Sequence, residues 1–252
     1  LWRDRVALGR KVLEVAPKLG EQAREYEAHA AYDSVAETEW HLNHDKAAIW
    51  PFFEQAEKLW KALGRPREIA LVNYYRARVV RNPKHPEETR QLLSAAERTA
   101  DELKDEHLRA LLLNQRGKLA NAEGRPEEAR RHFAEARLRF SQKGNSALYD
   151  PEMVAVVDRN EGKVELDQGN YGKALDLLER SMRGFQDLQL QVEEAETANL
   201  HAQALALLDE REEATLEYRW ARGIMEDLGA GVREDEFRET EQLLLPPKLP
   251  HE

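Results

Sequence analysis

Two histidines about one helical turn apart are the first residues to weigh for chemistry. His41-Leu42-Asn43-His44-Asp45 sets His41 and His44 three positions apart, with Glu37 upstream, and side chains at such spacing share a helix face and could share a metal ion. No second helix supplies further ligands, and the segment falls at a helix end, where His and Asp ordinarily cap and solvate the backbone; no metal ligand is assigned. His107, His132 and His201 stand singly in helical patterns and read as packing or surface residues. The five serines, Ser34, Ser94, Ser141, Ser146 and Ser181, include none in a Gly-x-Ser-x-Gly elbow and none with a His and Asp framework. A phosphate-cradling Gly-rich loop and a His-Glu-x-x-His pair are both missing. With no cysteine, thiol catalysis, disulfides and Cys-ligated zinc are excluded. Carboxylates abound, as helix propensity alone predicts. The expectation is a non-enzyme without catalytic residues, metal or cofactor.

Composition narrows the partners. Of 252 residues 41% are hydrophobic and 34% charged, and 38 basic against 48 acidic residues give a net charge of −10. This is too apolar for a disordered chain and too charged for a compact globule; it suits an array with much surface per residue. An acidic chain is a poor general binder of nucleic acid. No run of 18 apolar residues supplies a spanning helix, and the lack of cysteine fits a cytoplasmic protein. The chain starts at Leu1 rather than Met, which suggests a piece of a longer protein.

The elements that must position any site emerge from a repeat. Ala56, Ala96, Ala136, Ser181 and Ala221 follow one another at steps of 40, 40, 45 and 40 residues. Three residues before each stand Phe53, Leu93, Phe133, Leu178 and Tyr218; four after stand Trp60, Ala100, Phe140, Phe185 and Met225; seven after stand Leu63, Leu103, Lys143, Leu188 and Leu228. Those offsets lie on one helix face. The small residue lets a neighbouring helix approach and the large ones flank the contact. Upstream, Ala77, Gly117, Gly162 and Ala202 keep the same steps and mark a partner helix; a mid-helix glycine costs about 1 kcal/mol against alanine, so close packing must compensate. Gly64-Arg65-Pro66, the run Asn82 to Pro86, Gly124-Arg125-Pro126 and Asp150-Pro151 place proline near helix starts, and Gly144, Gly169 and Gly229 suit helix ends. The 45-residue step is accommodated by a longer loop over 141–150. Helices are expected near 3–16, 21–42, 46–63, 67–82, 87–104, 105–123, 126–142, 151–168, 171–187, 190–208, 211–228 and 232–245. The last, polar on one side with Val232, Phe237 and Leu244 on the other, would cap the array before Pro246, Pro247 and Pro250.

Gly117, Gly124, Pro126-Glu127-Glu128-Ala129, Phe133 and Ala136 resemble the tetratricopeptide (TPR) signature. Gly162, Gly169, Tyr171, Ala174, Leu178 and Ser181 repeat it; Ala202, Ala214, Tyr218 and Ala221 do so more weakly, with Asp209 where the turn glycine would stand. The resemblance spans about residues 35 to 230. A period near 40 and the ends Ala62-Leu63-Gly64 and Asp227-Leu228-Gly229 are similar to the long-period variant in sensor regions of STAND-type regulators. Glu165 and Glu37 depart from the pattern. The resemblance implies an all-α fold, a right-handed α-solenoid of stacked antiparallel helix pairs. It would form one solenoid over 1–252: a leading helix 1–20, pairs 21–64, 65–104, 105–144, 145–189 and 190–229, and a capping helix and tail over 230–252.

It also implies a concave groove lined by the first helix of each pair. The matching positions are Tyr74 and Arg78, Asn114 and Lys118, Arg159 and Lys163, Asn199 and Gln203, with Arg81 and Asn121 further along and Ser34, Thr38 and His41 from the first pair. This stripe holds five basic residues and no Asp or Glu in an acidic chain. Arg and Lys pair with carboxylates, and Asn serves a peptide backbone as donor and acceptor. The expected partner is a protein or peptide, one with acidic or carboxylate groups included; the alternatives are solvated helix faces, a small-molecule sensor of the STAND type, or an oligomerisation module. Trp40, Trp50, Phe52, Phe53 and Trp60 read as core between early pairs, although Pro51 inside a helical pattern should kink it and could expose Trp50 or Phe52 as a binding anchor.

Overall fold

The computed structural model describes residues 2–43, 45–80, 86–227 and 234–245. They form an all-α fold of twelve helical segments, in which consecutive segments up to residue 140, and again from residue 151 on, pack as antiparallel neighbours. We number them α1 (Trp2–Leu19), α2 (21–43), α3 (Lys46–Ala62), α4 (Pro66–Val80), α5 (Glu87–Leu103), α6 (Glu106–Ala122), α7 (Pro126–Phe140), α8 (Pro151–Asp167), α9 (Tyr171–Asp187), α10 (Gln191–Leu207), α11 (Arg211–Asp227) and α12 (Glu234–Leu244). Two compact units divide the chain, residues 1–150 and 151–252. Arg81, His44, Gly229, Val232, residues 82–85 and the prolines at 246, 247 and 250 lie outside the described residues.

The repeat positions build the core of each unit. Ala56, Ala96, Ala136, Ser181 and Ala221 are fully buried, as are Phe53, Leu93, Phe133 and Leu178 before them and Ala100, Phe140 and Phe185 after them. The glycines opposite explain why large and small alternate. A Cβ on Gly117 would stand 2.5 Å from Phe133 Cε1, and one on Gly162 would stand 2.8 Å from Leu178 Cγ. α6 and α8 therefore each seat the large residue of their own second helix in a notch that only glycine leaves open. Ser181 adds a hydrogen bond, its hydroxyl donating to Ala155 O at 2.8 Å. The position seven after the small residue lies at the edge of the core, with Leu103 and Leu188 exposed and Leu63 half-buried against it, because the chain is already turning there.

Most turns share one construction. The amide N–H of Arg65, Asp105, Arg125, Asn170, Leu190 and Glu210 reaches back five residues, to the carbonyls of Trp60, Ala100, Ala120, Glu165, Phe185 and Leu205, at 2.9–3.0 Å. The residue just before each donor is left-handed: Gly64, Lys104, Gly124, Gly169, Gln189 and Asp209, at φ 55–77°. This satisfies end carbonyls that the helix leaves open. Asp209 thus adopts the conformation that glycine holds in the sister turns, whereas Gly144 sits in the 141–150 loop after α7 has ended at Phe140.

The first 62 residues are less regular. The helix expected over 21–42 opens with a 3₁₀ turn (Glu21–Ala23), continues as α-helix (Arg24–His29), widens to π-helix (Ala30–Glu37) and closes as α-helix (Thr38–Asn43). Its wide stretch is where α1 comes closest: a Cβ on Gly9 would lie 2.8 Å from Ser34 Cβ. Pro17 and Pro51 both lie within helices. Asp45 starts α3, its carboxylate accepting from the Ala47 and Ala48 amides at 2.9 and 3.1 Å. Trp50 packs against Phe53 with centroids 6.2 Å apart and lies under Lys46 and Arg76, at 5.0 and 5.2 Å; Arg10 covers Phe52 at 5.4 Å. These aromatics belong to the core and its cationic cover. Among the described residues no helix is long and apolar enough to cross a membrane.

Candidate functional site

First helices lie beside first helices. In the 1–150 unit α4 packs against α2 and α6; in the 151–252 unit α8 packs against α10. Tyr74, Arg78, Asn114, Lys118 and Asn121 therefore come from adjacent helices of the first unit, and Arg159, Lys163, Asn199 and Gln203 from adjacent helices of the second.

In the first unit Tyr74 and Asn114 are nearly inaccessible, while Arg78, Lys118 and Asn121 are half-buried. Arg78 Nη1 pairs with Glu37 at 2.5 Å, and its guanidinium lies 5.9 and 5.6 Å from the Tyr74 and Tyr75 ring centroids. Burial, with Glu37 nearby, pushes the Tyr74 hydroxyl above its ordinary pKa, against the opposing pull of Arg78 and a hydrogen bond with Gln115. This phenol stays neutral and offers a hydrogen bond, not a charge.

The second unit divides its candidates between two environments. Arg159 Nη1 pairs with Glu196 at 2.8 Å and lies over the Phe185 ring at 5.4 Å, both partners of the ion pair largely buried. Lys163 pairs with Asp167 one turn on at 2.8 Å and keeps 40% of its side chain exposed. Asn199 and Gln203 are buried beneath α12, where Gln203 Nε2 donates to Thr240 Oγ1 at 3.0 Å and the Thr240 hydroxyl donates to Asn199 Oδ1 at 2.7 Å. Phe237 of the same helix packs on Tyr218, centroids 5.9 Å apart.

Three of the cations thus carry carboxylates that the stripe of positions omitted: Glu37, Glu196 and Asp167. Glu37 had stood out only as a misfit at a small-residue position. Glu165, the other misfit, is fully buried and accepts hydrogen bonds from Lys173 Nζ at 2.6 Å and Asn170 Nδ2 at 2.8 Å; it clamps the α8–α9 turn. The spacing of Glu57 to Arg76 and of Glu97 to Arg116, 19 residues each, held a further signal. Each pair joins a second helix to the next first helix by an ion pair, with Arg116 bidentate on Glu97 at 2.6 Å to both oxygens.

His107, His132 and His201 have structural partners. His107 meets Asp150 at 3.1 Å and packs edge-on against Phe140, His201 meets Glu217 at 2.6 Å, and His132 meets Glu128 at 3.5 Å. Among the described residues no group of three His, Asp or Glu side chains is placed to hold a metal ion.

No family model matches the chain. No curated protein matches it either. Among solved structures it is similar to BtubC (BKLC) from P. vanneervenii, with a TM-score of 0.60 and 14% identity over 90% of this chain and 92% of that one. At that identity the likeness concerns the fold: twelve helices in sequential antiparallel pairs, the arrangement of a TPR-like repeat solenoid.

Proposed function

We propose that this chain is a non-catalytic scaffold that holds a protein or peptide partner along the face made by successive first helices, as the recognition region of a larger signalling or regulatory protein. The observation that carries the reading is the adjacency of α2, α4 and α6. It brings Arg78, Lys118 and Asn121 to neighbouring helices, each half-buried and so held in place while still reachable. Repeat folds of this kind commonly serve as protein-binding scaffolds, because each added pair extends a surface without closing a core.

The ion pairs refine the partner's chemistry. A carboxylate reaching Arg78 would exchange with Glu37, and one reaching Lys163 with Asp167, so attraction to an acidic peptide is offset by the cost of parting existing pairs. An extended peptide offering backbone amides together with one acidic group fits better than a uniformly acidic one. Arg159 is no clean probe, since removing it strands the buried Glu196 and confounds binding with stability. Selection of a displayed peptide library on the immobilised chain, followed by calorimetric titration of the enriched sequences, tests the reading. Lys118→Ala is expected to weaken the enriched peptides about fivefold, roughly 1 kcal/mol, with folding of the variant checked by its thermal unfolding. Enrichment of no peptide, or wild-type affinity in both Lys118→Ala and Lys163→Ala, would reject it.

A further inference from the structure

A cleft of about 360 Å³ opens in the first unit between α5 and α7, with α6 as its floor. Its α6 residues, Arg109, Leu112 and Leu113, project at 3.6 residues per turn from the side of the helix opposite to Asn114, Lys118 and Asn121. It is therefore separate from the first-helix face described above. Leu112 is buried and Leu113 half-buried, which gives the cleft an apolar base.

Above the leucines runs a chain of alternating charges. Arg109 pairs with Asp101 at 2.8 Å and with Glu106; Arg139 pairs with Glu106 at 3.4 Å and with Glu135 at 2.8 Å. Glu97, which also lines the cleft, is held by Arg116; in the remaining chain three carboxylates face two guanidiniums, which leaves one negative charge over. The order of depth matters as much as the count. The acids stand outermost, with Asp101 69% and Glu135 50% exposed, against 31% for Arg109 and 24% for Arg139. An entering group meets carboxylates before it meets guanidiniums.

We propose that this cleft is a second recognition site, one that takes a lysine or arginine side chain presented by a partner protein. The methylene stem of such a side chain would lie on Leu112 and Leu113, as amphipathic stems do on apolar surface, while its charged end joins Asp101 and Glu135 and completes the charge balance. An anion would meet the acids at the rim and be repelled. The volume equals about a dozen waters at ~30 Å³ each, room for one long side chain but not for a helix.

The test uses the full 252-residue chain with leucine methyls labelled for NMR. The probe is an acetylated, amidated tripeptide Ala-Arg-Ala, with Ala-Lys-Ala as a second cation and Ala-Glu-Ala as the control. Saturable shifts of the Leu112 and Leu113 methyls are expected with at least one basic peptide and none with the acidic one. Asp101→Asn combined with Glu135→Gln should raise the dissociation constant at least fivefold. Both acids are exposed, so the variant should keep its fold; if its melting temperature collapses, Glu135→Gln alone serves, with at least a twofold rise. No saturable shift from either basic peptide, an equal response to Ala-Glu-Ala, or an unchanged dissociation constant in the folded variant would overturn the assignment.

Discussion

Thr240, with no exposed surface, places its hydroxyl between two buried amides, Gln203 donating to it and Asn199 accepting from it. In a dry setting such a link costs more to lose than it contributes when made. Thr240→Val should therefore destabilise the protein by about 1–3 kcal/mol in urea unfolding, while Thr240→Ser, which keeps the hydroxyl, loses less. A negligible loss in Thr240→Val beside a larger one in Thr240→Ser would show that the methyl group, not the hydroxyl, matters. The sequence placed Asn199 and Gln203 on the same stripe as Asn114 and Lys118, because repeat register is periodic and reads directly off the chain. It did not reveal Thr240, 41 positions from Asn199, nor Glu37 and Glu196, 41 and 37 positions from their arginines. Such partners depend on which helices lie side by side, and that is a property of stacking rather than of spacing. Phe237 was legible as a residue facing the array because an apolar side chain on an otherwise polar helix has one sensible destination.

At the scale of the element, the helix pair is governed by one notch and one turn. Alanine is the better helix former by about 1 kcal/mol, yet a Cβ at Gly117 would press on the Phe133 ring at 2.5 Å, and overpacking typically costs about 1–3 kcal/mol. Gly117→Ala should lower stability by chemical denaturation, and Phe133→Leu in the same chain should recover part of the loss. A gain in stability from Gly117→Ala alone would contradict the notch. The turns give the opposite sign. Gln189 is left-handed at φ 58°, a conformation that glycine adopts without steric cost. Gln189→Gly should raise stability by about 0.5–1 kcal/mol, whereas the same change at Gln186, inside α9, should lower it. Helix number, order and the small–large pattern were legible, since 3.6-residue periodicity and glycine–proline punctuation are local signals. The π-helical Ala30–Glu37 stretch was not. Its composition is ordinary for an α-helix, and it coincides with the close approach of Gly9, a tertiary event.

Across the whole molecule the carboxylates set the response to acid. Burial works against the charge of Asp105, but the Leu108 amide and the Arg67 guanidinium more than compensate, so its pKa lies below the ordinary value; Glu57 is lowered likewise despite burial, by Lys61 and Arg76. Protonating either group is harder in the folded chain than in the unfolded one. The stability they contribute is present above about pH 4, the unfolded value for such groups, and is lost as pH falls through the lowered folded value. Asp105→Asn keeps a cap acceptor for α6 but not the ion pair with Arg67, and should flatten the fall in urea midpoint below about pH 4; an unchanged slope would show that Asp105 contributes nothing to it. Partner recognition is the larger claim, and amide chemical-shift mapping of the full chain with a library-selected peptide tests it most directly. The shifted amides are expected to gather around Arg78, Asn114, Lys118 and Asn121 on α4 and α6. Shifts confined to the second helices α5 and α7, or absent at saturating peptide, would contradict it.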